Sequence, residues 1–305
     1  NTIISVIQKL EPGFFAKVDS KGTITKHKYY SFNHIKVNRT ISQQEILNET
    51  ERLLLKAIEK RFYTADVDVG VLLSGGLDSS LIVAMAAKLN LSDINTFSIG
   101  FPTIGSEQGD EFYYSDLVAK KFGTNHHKYN ITLDKLFESL DIVIRAMPEP
   151  MFSQDSAAFY LLAKEVSTKQ KVVLSGQGAD ELFGGYFWYK KMLDTNGSES
   201  TRFAQYYFDR NHDEYKKIIT KNYANKNYSL DLLNSLFSQQ RGDIDFIDKV
   251  LRIDLSTFII DDPVKRIDSM TMSWGLETRV PYLDIELVEF LSSITSESKL
   301  EYDGK

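Results

Sequence analysis

Between residues 43 and 62 the apolar side chains Ile46, Leu47, Leu53, Leu54, Ala57 and Ile58 recur at intervals of three and four, which places them on one face of an amphipathic helix. Residues 67–73 are β-branched and apolar without alternation, the pattern of a strand buried on both faces. Residues 80–89 are apolar nearly all round, as in a buried helix. Short strand-like runs at 96–101, 128–132 and 171–174 alternate with helical stretches at 110–122, 133–147 and 156–166. Strands separated by helices predict an α/β fold, a parallel sheet flanked by helices. Beyond Gly185 the strand signal fades, and 206–219, 230–237 and 247–258 predict a helical C-terminal elaboration. The first residues read as strand and turn, with Pro12-Gly13 and Lys21-Gly22 at the turns, and 220–228 reads as a loop. The division expected is a lead-in segment over 1–40, an α/β core over 41–190 and a helical part of the same domain over 191–305.

Composition narrows the chemistry. The chain has 305 residues with 42% hydrophobic and 12% aromatic content, enough for one large core or two modest ones. No run of about 18 apolar residues suggests a membrane span, and the first residues carry no signal or transit pattern, so no membrane partner and a cytoplasmic location are expected. Zero cysteines exclude disulfides, thiolate zinc sites and a cysteine nucleophile within these residues. The net charge of −6 is spread without a basic block, which disfavours nucleic acid as a partner and favours small-molecule chemistry.

The richest stretch is Val69-Gly70-Val71-Leu72-Leu73 running into Ser74-Gly75-Gly76-Leu77-Asp78-Ser79-Ser80 and then a helix. Glycines allow close backbone approach, serines add hydroxyl donors, and a new helix offers unpaired N–H groups and a positive dipole end, so anion binding is the natural consequence. Neither a Walker loop nor a dinucleotide fingerprint occurs in the chain. The plain alternative is a glycine-rich turn in which Asp78 or Ser79 merely caps the helix. A second glycine-rich turn follows another buried strand: Ser175-Gly176-Gln177-Gly178-Ala179-Asp180-Glu181-Leu182-Phe183-Gly184-Gly185-Tyr186. Its acids Asp180 and Glu181 offer hard oxygen ligands that suit magnesium, or they cap a helix near Leu182.

The first loop resembles that of the N-type ATP pyrophosphatases, which cleave ATP between the α and β phosphates. The second is similar to Ser-Gly-x-Gly-x-Asp-Glu-x-Phe-Gly-Gly-Tyr of the asparagine synthetase family. Residues 2–15, Gly123-Thr124-Asn125-His126-His127 and Glu277-Thr278-Arg279-Val280-Pro281-Tyr282-Leu283-Asp284 match that family in order, so the resemblance covers essentially the whole chain. It implies an adenine nucleotide alpha hydrolase-like fold with ATP and Mg2+ as cofactors. Leu73, Ile99, Ser175 and Gly176 would lie at the nucleotide, with the adenine bordered by Leu73, Ile99 and Gly176. Gly75, Asp78 and Ser80 would lie there too, Ser74, Gly76 and Ser79 would hold phosphate, and Asp78 and Asp180 would hold the metal and, with Gln177, form the catalytic set. The implied reaction activates a carboxylate as an acyl-adenylate, which ammonia converts to an amide; the ammonia comes from a glutaminase domain that these residues do not contain. A family lysine falls beyond Lys305. The chain reads as a fragment, a separated domain or a chain with a removed partner.

Within the family, residues 96–101, 109–116 and 262–277 look most like N-acetylglutaminylglutamine amide synthetases. Gln177 departs from asparagine synthetases in the same direction, since they place Glu or Asp there and a neutral amide is no general base. The acceptor expected is therefore a small acylated peptide, with aspartate as the alternative. A nucleotide-binding module without catalysis is the rival of another class. His126 and His127 are adjacent and point to opposite sides of a strand, which favours structural roles for both.

Overall fold

The computed structural model describes residues 2, 4, 6–102, 112–149, 153 and 155–300. The chain separates into two compact units. One comprises 1–11, 44–179 and 258–288; the other comprises 12–43, 180–257 and 289–305.

The first unit holds a five-stranded parallel sheet. Its strands are β3 (Val69–Leu72), β4 (Asn95–Gly100), β5 (Asn125–Asn130), β6 (Val172–Leu174) and β7 (Glu277–Arg279), in the order β5-β4-β3-β6-β7. Every residue of β3 and β6 is buried, as a strand covered on both faces requires. The helices are α1 (Gln43–Tyr63), α2 (Leu77–Lys88), α3 (Phe112–Phe122), α4 (Leu133–Ala146), α5 (Asp155–Val166) and a later helix, Pro263–Met272. In α1 the predicted stripe is buried through Ile46, Leu53, Leu54, Ala57 and Ile58, whereas Leu47 is exposed. Leu72, Phe97, Leu162, Ala163, Val166, Val173, Ile267 and Leu276 form one core cluster, and Ile131, Val143, Ala157, Tyr160, Leu161 and Met270 a second.

The fold is thus the α/β fold read from the sequence, with local differences. The helix expected from residue 80 begins at Leu77: Gly75 turns the backbone at φ +88°, and Gly76, in ordinary extended backbone, is the N-cap from which the first helical turn starts. The helix expected from residue 110 is described from Phe112; residues 110 and 111, part of the 109–116 stretch, lie outside the described residues, as does Lys305. Strand β7 has three residues and no alternation, so periodicity gave no signal for it.

The second unit opens with an antiparallel hairpin, β1 (Phe14–Val18) and β2 (Ile24–Lys28), paired from Phe14 against Lys28 to Val18 against Ile24. Asp19 accepts backbone N–H bonds from Lys21 and Thr23, and Gly22 at φ +81° closes the turn. Its other core gathers Tyr189, Met192, Phe203, Leu233, Phe237, Ile247, Val250, Leu251 and Ile253. The helix read over 206–219 is broken in two. Glu199–Tyr207 ends at Phe208, and a new turn, His212–Tyr215, starts from the reciprocal capping box of Asn211 and Glu214. Among the described residues no helix is long and apolar enough to cross a membrane.

Candidate active site

From β3 the chain steps to β4 and β5 on one side, then returns to place β6 and β7 on the other. The direction of winding reverses between β3 and β6, and ligands of open α/β sheets gather outside the strand ends at such a switch point. The two glycine-rich motifs are the segments that leave β3 and β6.

After β3, Leu73 stays in the sheet: its N–H bonds Phe97 O at 2.8 Å, and its carbonyl accepts from Ser98 Oγ. Gly75 then turns at φ +88°. A Cβ there would stand 2.6 Å from Tyr114 Cβ and 2.7 Å from Ser115 N, so both the backbone angle and the packing against the start of α3 demand glycine. Gly76 is the N-cap of α2, and no side chain caps the helix. The capping alternative for Asp78 or Ser79 is thereby corrected: both lie inside the first turn. Ser79 Oγ donates to Gly76 O at 3.2 Å and stands 3.0 Å from Ser74 Oγ, which accepts Gly76 N–H at 3.2 Å. The serines thus brace the loop, and the N-cap of α2 is a glycine that brings no side-chain acceptor of its own, an arrangement an incoming anion can exploit.

After β6, Ser175 N bonds Arg279 O at 2.9 Å. Gly176 then packs directly on the first loop: a Cβ on it would lie 3.2 Å from both Asp78 Cβ and Ser79 N. Gly178, at φ +91°, would press a Cβ within 2.6 Å of Leu283 Cδ2. Gln177 between them is half-buried.

The Glu277–Asp284 motif supports these loops. Tyr282 is buried and donates its hydroxyl to Asp78 O at 2.9 Å; burial, and then the Asp78 charge, push the phenol above its usual range. Arg279 donates to Arg61 O at 2.6 Å and ties β7 to the end of α1. Asp284 pairs with Arg61 at 2.9 Å. Burial raises its carboxyl, but the hydrogen bond and charge of Arg61 outweigh that and hold it below the ordinary value.

The structure therefore brings Ser74, Gly75, Gly76, Asp78, Ser79, Ser175 and Gly176 together at the ends of β3 and β6. Leu73 is buried below them, Ile99 is half-buried two residues past Phe97 on the neighbouring strand, and Ser80 sits in the first turn of α2. Asp180 belongs to the second unit, in the short helix Ala179–Phe183. There Gly185 N bonds Asp180 O at 2.9 Å, and a Cβ on Gly185 would collide with the Asp180 carboxylate. Glu181 is buried and accepts from Tyr186 Oη at 2.8 Å, so this acid is occupied inside the unit. Sequence reasoning missed the supporting roles of Tyr282, Tyr114 and Ser115; all three lie in quoted stretches, 277–284 and 109–116, but nothing in those stretches told of contact with the first loop.

The asparagine synthase family model matches residues 49–305. The chain belongs to that family. It is 27% identical to asparagine synthetase [glutamine-hydrolyzing] 1 of Bacillus subtilis over 98% of this chain and 51% of that protein. It is 34% identical to putative asparagine synthetase [glutamine-hydrolyzing] 2 of Methanocaldococcus jannaschii over 52% of this chain and 30% of that protein. The chain spans about half the length of the first of these curated relatives. Among solved structures it is similar to the NH3-dependent NAD synthetase of Campylobacter jejuni at TM-score 0.33 and 12% identity, over 74% of this chain and 96% of that one.

Proposed function

We propose that this chain is the synthetase part of an ATP-dependent amidotransferase, which adenylates a carboxylate, releases pyrophosphate and lets ammonia displace AMP to form an amide. The observation that carries this reading is the seating of Gly176 on the backbone of Asp78 and Ser79, which gathers both family loops at the switch point of the sheet.

In the proposed reaction the Ser74–Ser80 loop holds the leaving pyrophosphate through backbone N–H groups, hydroxyls and the positive end of α2. Donors fixed in advance where charge develops cost no reorganisation during reaction. Asp78 and, by the family resemblance, Asp180 are the carboxylates proposed for magnesium. The donor chemistry fits: magnesium keeps several waters and takes one or two carboxylates beside substrate phosphates. Among the described residues there is no group of three or more His, Asp or Glu that would form an all-protein cage. The metal would supply charge neutralisation on the pyrophosphate. Leu73 and Ile99 are proposed to border the adenine.

The nitrogen is proposed to come from glutamine, as the bracketed words in the relatives' names suggest for those proteins. No cysteine is present in these 305 residues to attack the amide of glutamine, so that nucleophile must be supplied from outside them. For the acceptor we favour a small acylated peptide of the N-acetylglutaminylglutamine kind. Free aspartate would bring an ammonium and two carboxylates that need dedicated counter-ions, whereas the amides of an acylated dipeptide suit the neutral donors and acceptors of Gln177. The names of the relatives favour a second reading, with aspartate as acceptor.

Competition in one reaction of the full-length protein with MgATP and ammonium tests both. N-acetylglutaminylglutamine amide as the main product by mass spectrometry supports the first reading. Asparagine as the main product replaces it with the second, and no amide from any carboxylic acid in a broad panel would sink the functional proposal.

A further inference from the structure

The two adjacent histidines of β5 have different surroundings. His127 stacks on Phe97 with ring centroids 5.1 Å apart and meets Asn95 Oδ1 at 3.2 Å. His126, its side chain 9% exposed, lies among hydroxyls: Nδ1 is 2.9 Å from Thr96 Oγ1, and Nε2 is 3.1 Å from Ser115 Oγ and 3.4 Å from Ser98 Oγ.

A proton inventory orients this network. Ser98 uses its hydrogen on Leu73 O, and Ser115 uses its own on Phe112 O at 3.2 Å, so both oxygens can only accept from the imidazole. Nε2 therefore carries the hydrogen. Burial holds the imidazole below its ordinary pKa, against the raising effect of Asp116 and with Lys128 and His127 lowering it further. In the neutral ring Nδ1 must then accept from Thr96, whose oxygen accepts in turn from Thr124 Oγ1 at 2.8 Å. A single directed chain of donors runs from Thr124 through Thr96 and His126 to Ser98 and Ser115.

Both branches at the accepting end of that chain touch the phosphate loop. Ser98 delivers its proton to the carbonyl of Leu73, the residue before Ser74. Ser115 N is one of the atoms on which the Gly75 turn rests.

We propose that His126, as its neutral Nε2–H tautomer, is a positioning residue that sets the Gly75 turn by fixing α3 on one side and the end of β3 on the other. This builds on the functional reading above. It touches no reacting atom, and its contribution to ATP use is the prior shape of the loop.

Two substitutions in the full-length protein divide the ring's two bonds. His126→Asn keeps an acceptor near Nδ1 and loses the donor toward Ser115 and Ser98; His126→Gln keeps a donor near Nε2 and loses the acceptor. Loss of a hydrogen bond of ordinary worth changes a local equilibrium by about tenfold. In the Asn variant, hydrogen exchange of the 73–80 amides in ligand-free protein should speed up by about tenfold. KM for MgATP in ATP–pyrophosphate exchange should rise by a similar factor, with kcat within about twofold. The Gln variant should stay within about twofold of the parent on every count. Equal behaviour of the two variants, whether both unaffected or both impaired with faster exchange across the whole sheet, would overturn the assignment. The amide measurement needs no turnover. If the parent protein catalyses no pyrophosphate exchange, the functional reading fails while the loop measurement still decides the role of His126.

Discussion

Beneath the loop that follows β3, the hydroxyls of Thr124, Thr96, Ser98 and Ser115 and the imidazole of His126 are joined in one hydrogen-bonded network. In the helical unit the buried polar side chains include the ionisable Glu181, Asp248, Arg252 and Asp254, beside serines and a threonine. Arg252 is 1% exposed and spends its guanidinium on three backbone carbonyls, those of Phe32, Ile35 and Ser292, while its Nε has no partner among the described residues. Asp254 is fully buried; it accepts from Tyr189 Oη at 2.7 Å and from Tyr207 Oη, and its other oxygen is unpaired among the described residues. Asp248 is buried with one unpaired oxygen, and burial raises its carboxyl. Neutral, fully paired networks give a rigid support at little electrostatic cost, whereas buried charges hold segments together and leave stability dependent on pH. The hydroxyl and imidazole network under the β3 loop thus holds a loop still, and the buried charges of the helical unit tie distant stretches of its own chain.

That contrast gives mutations with opposite signatures. The largest effect belongs to Asp78→Asn, which should lower AMP production by about a thousandfold, the equivalent of about 4 kcal/mol of lost transition-state stabilisation, with an unchanged urea midpoint. Turnover near the parent's value would remove Asp78 from the chemistry. Arg252→Leu should do the reverse. Leaving three buried carbonyls without their donor and Asp248 with Lys299 as its remaining cation should cost about 3–5 kcal/mol in urea unfolding, with activity per folded molecule within about twofold. A loss of activity without a loss of stability would break the comparison.

A smaller effect comes from Asp254. Burial, and with it the nearby Glu181 charge, pushes its carboxyl up to about 7 against the opposing donors Tyr207 and Tyr189. The unfolded value is about 3.9, so between about pH 4 and 7 the folded state binds more protons than the unfolded state. Its contribution to stability is therefore fully present below the unfolded value and is lost as pH rises through about 7, by at most about 1.4 kcal/mol per pH unit. Asp254→Asn should flatten the stability profile in that window relative to the parent; parallel profiles would show that the carboxyl does not titrate there. The smallest effect is the control, Lys56→Ala. It removes a pair with Glu286 in which both side chains are about half exposed, and should change stability by about 0–1 kcal/mol.

The sequence made some of this arrangement readable and concealed the rest. Local signals sufficed for the strands β3 and β6, which are short, apolar and followed within three residues by glycine. They sufficed also for Gly75 and Gly176, whose residue type reports that something must come close. What came close was not readable. That Gly75 leans on Tyr114 and Ser115, and Gly176 on Asp78, depends on pairing between segments dozens of residues apart. The adjacent histidines were assigned opposite faces by strand periodicity, yet only the structure separates the aromatic contact of His127 from the hydroxyl chain of His126. In the helical unit the 254–258 stretch is π-helical, and the helical period places Asp254 on the face of Ile247, Val250 and Leu251, all buried, but a carboxylate carries no signal of burial. Its environment comes from Tyr189 and Tyr207, brought in from other helices.

The proposed function requires the loop after β3 to hold ATP for cleavage between its α and β phosphates. The direct test is to incubate the full-length protein with MgATP, ammonium and its carboxylic acid substrate, and to separate the nucleotide products. The account predicts AMP and pyrophosphate in amounts equal to the amide formed, falling to background in Asp78→Asn. ADP and phosphate, or AMP formed equally well by the Asp78→Asn variant, would contradict it.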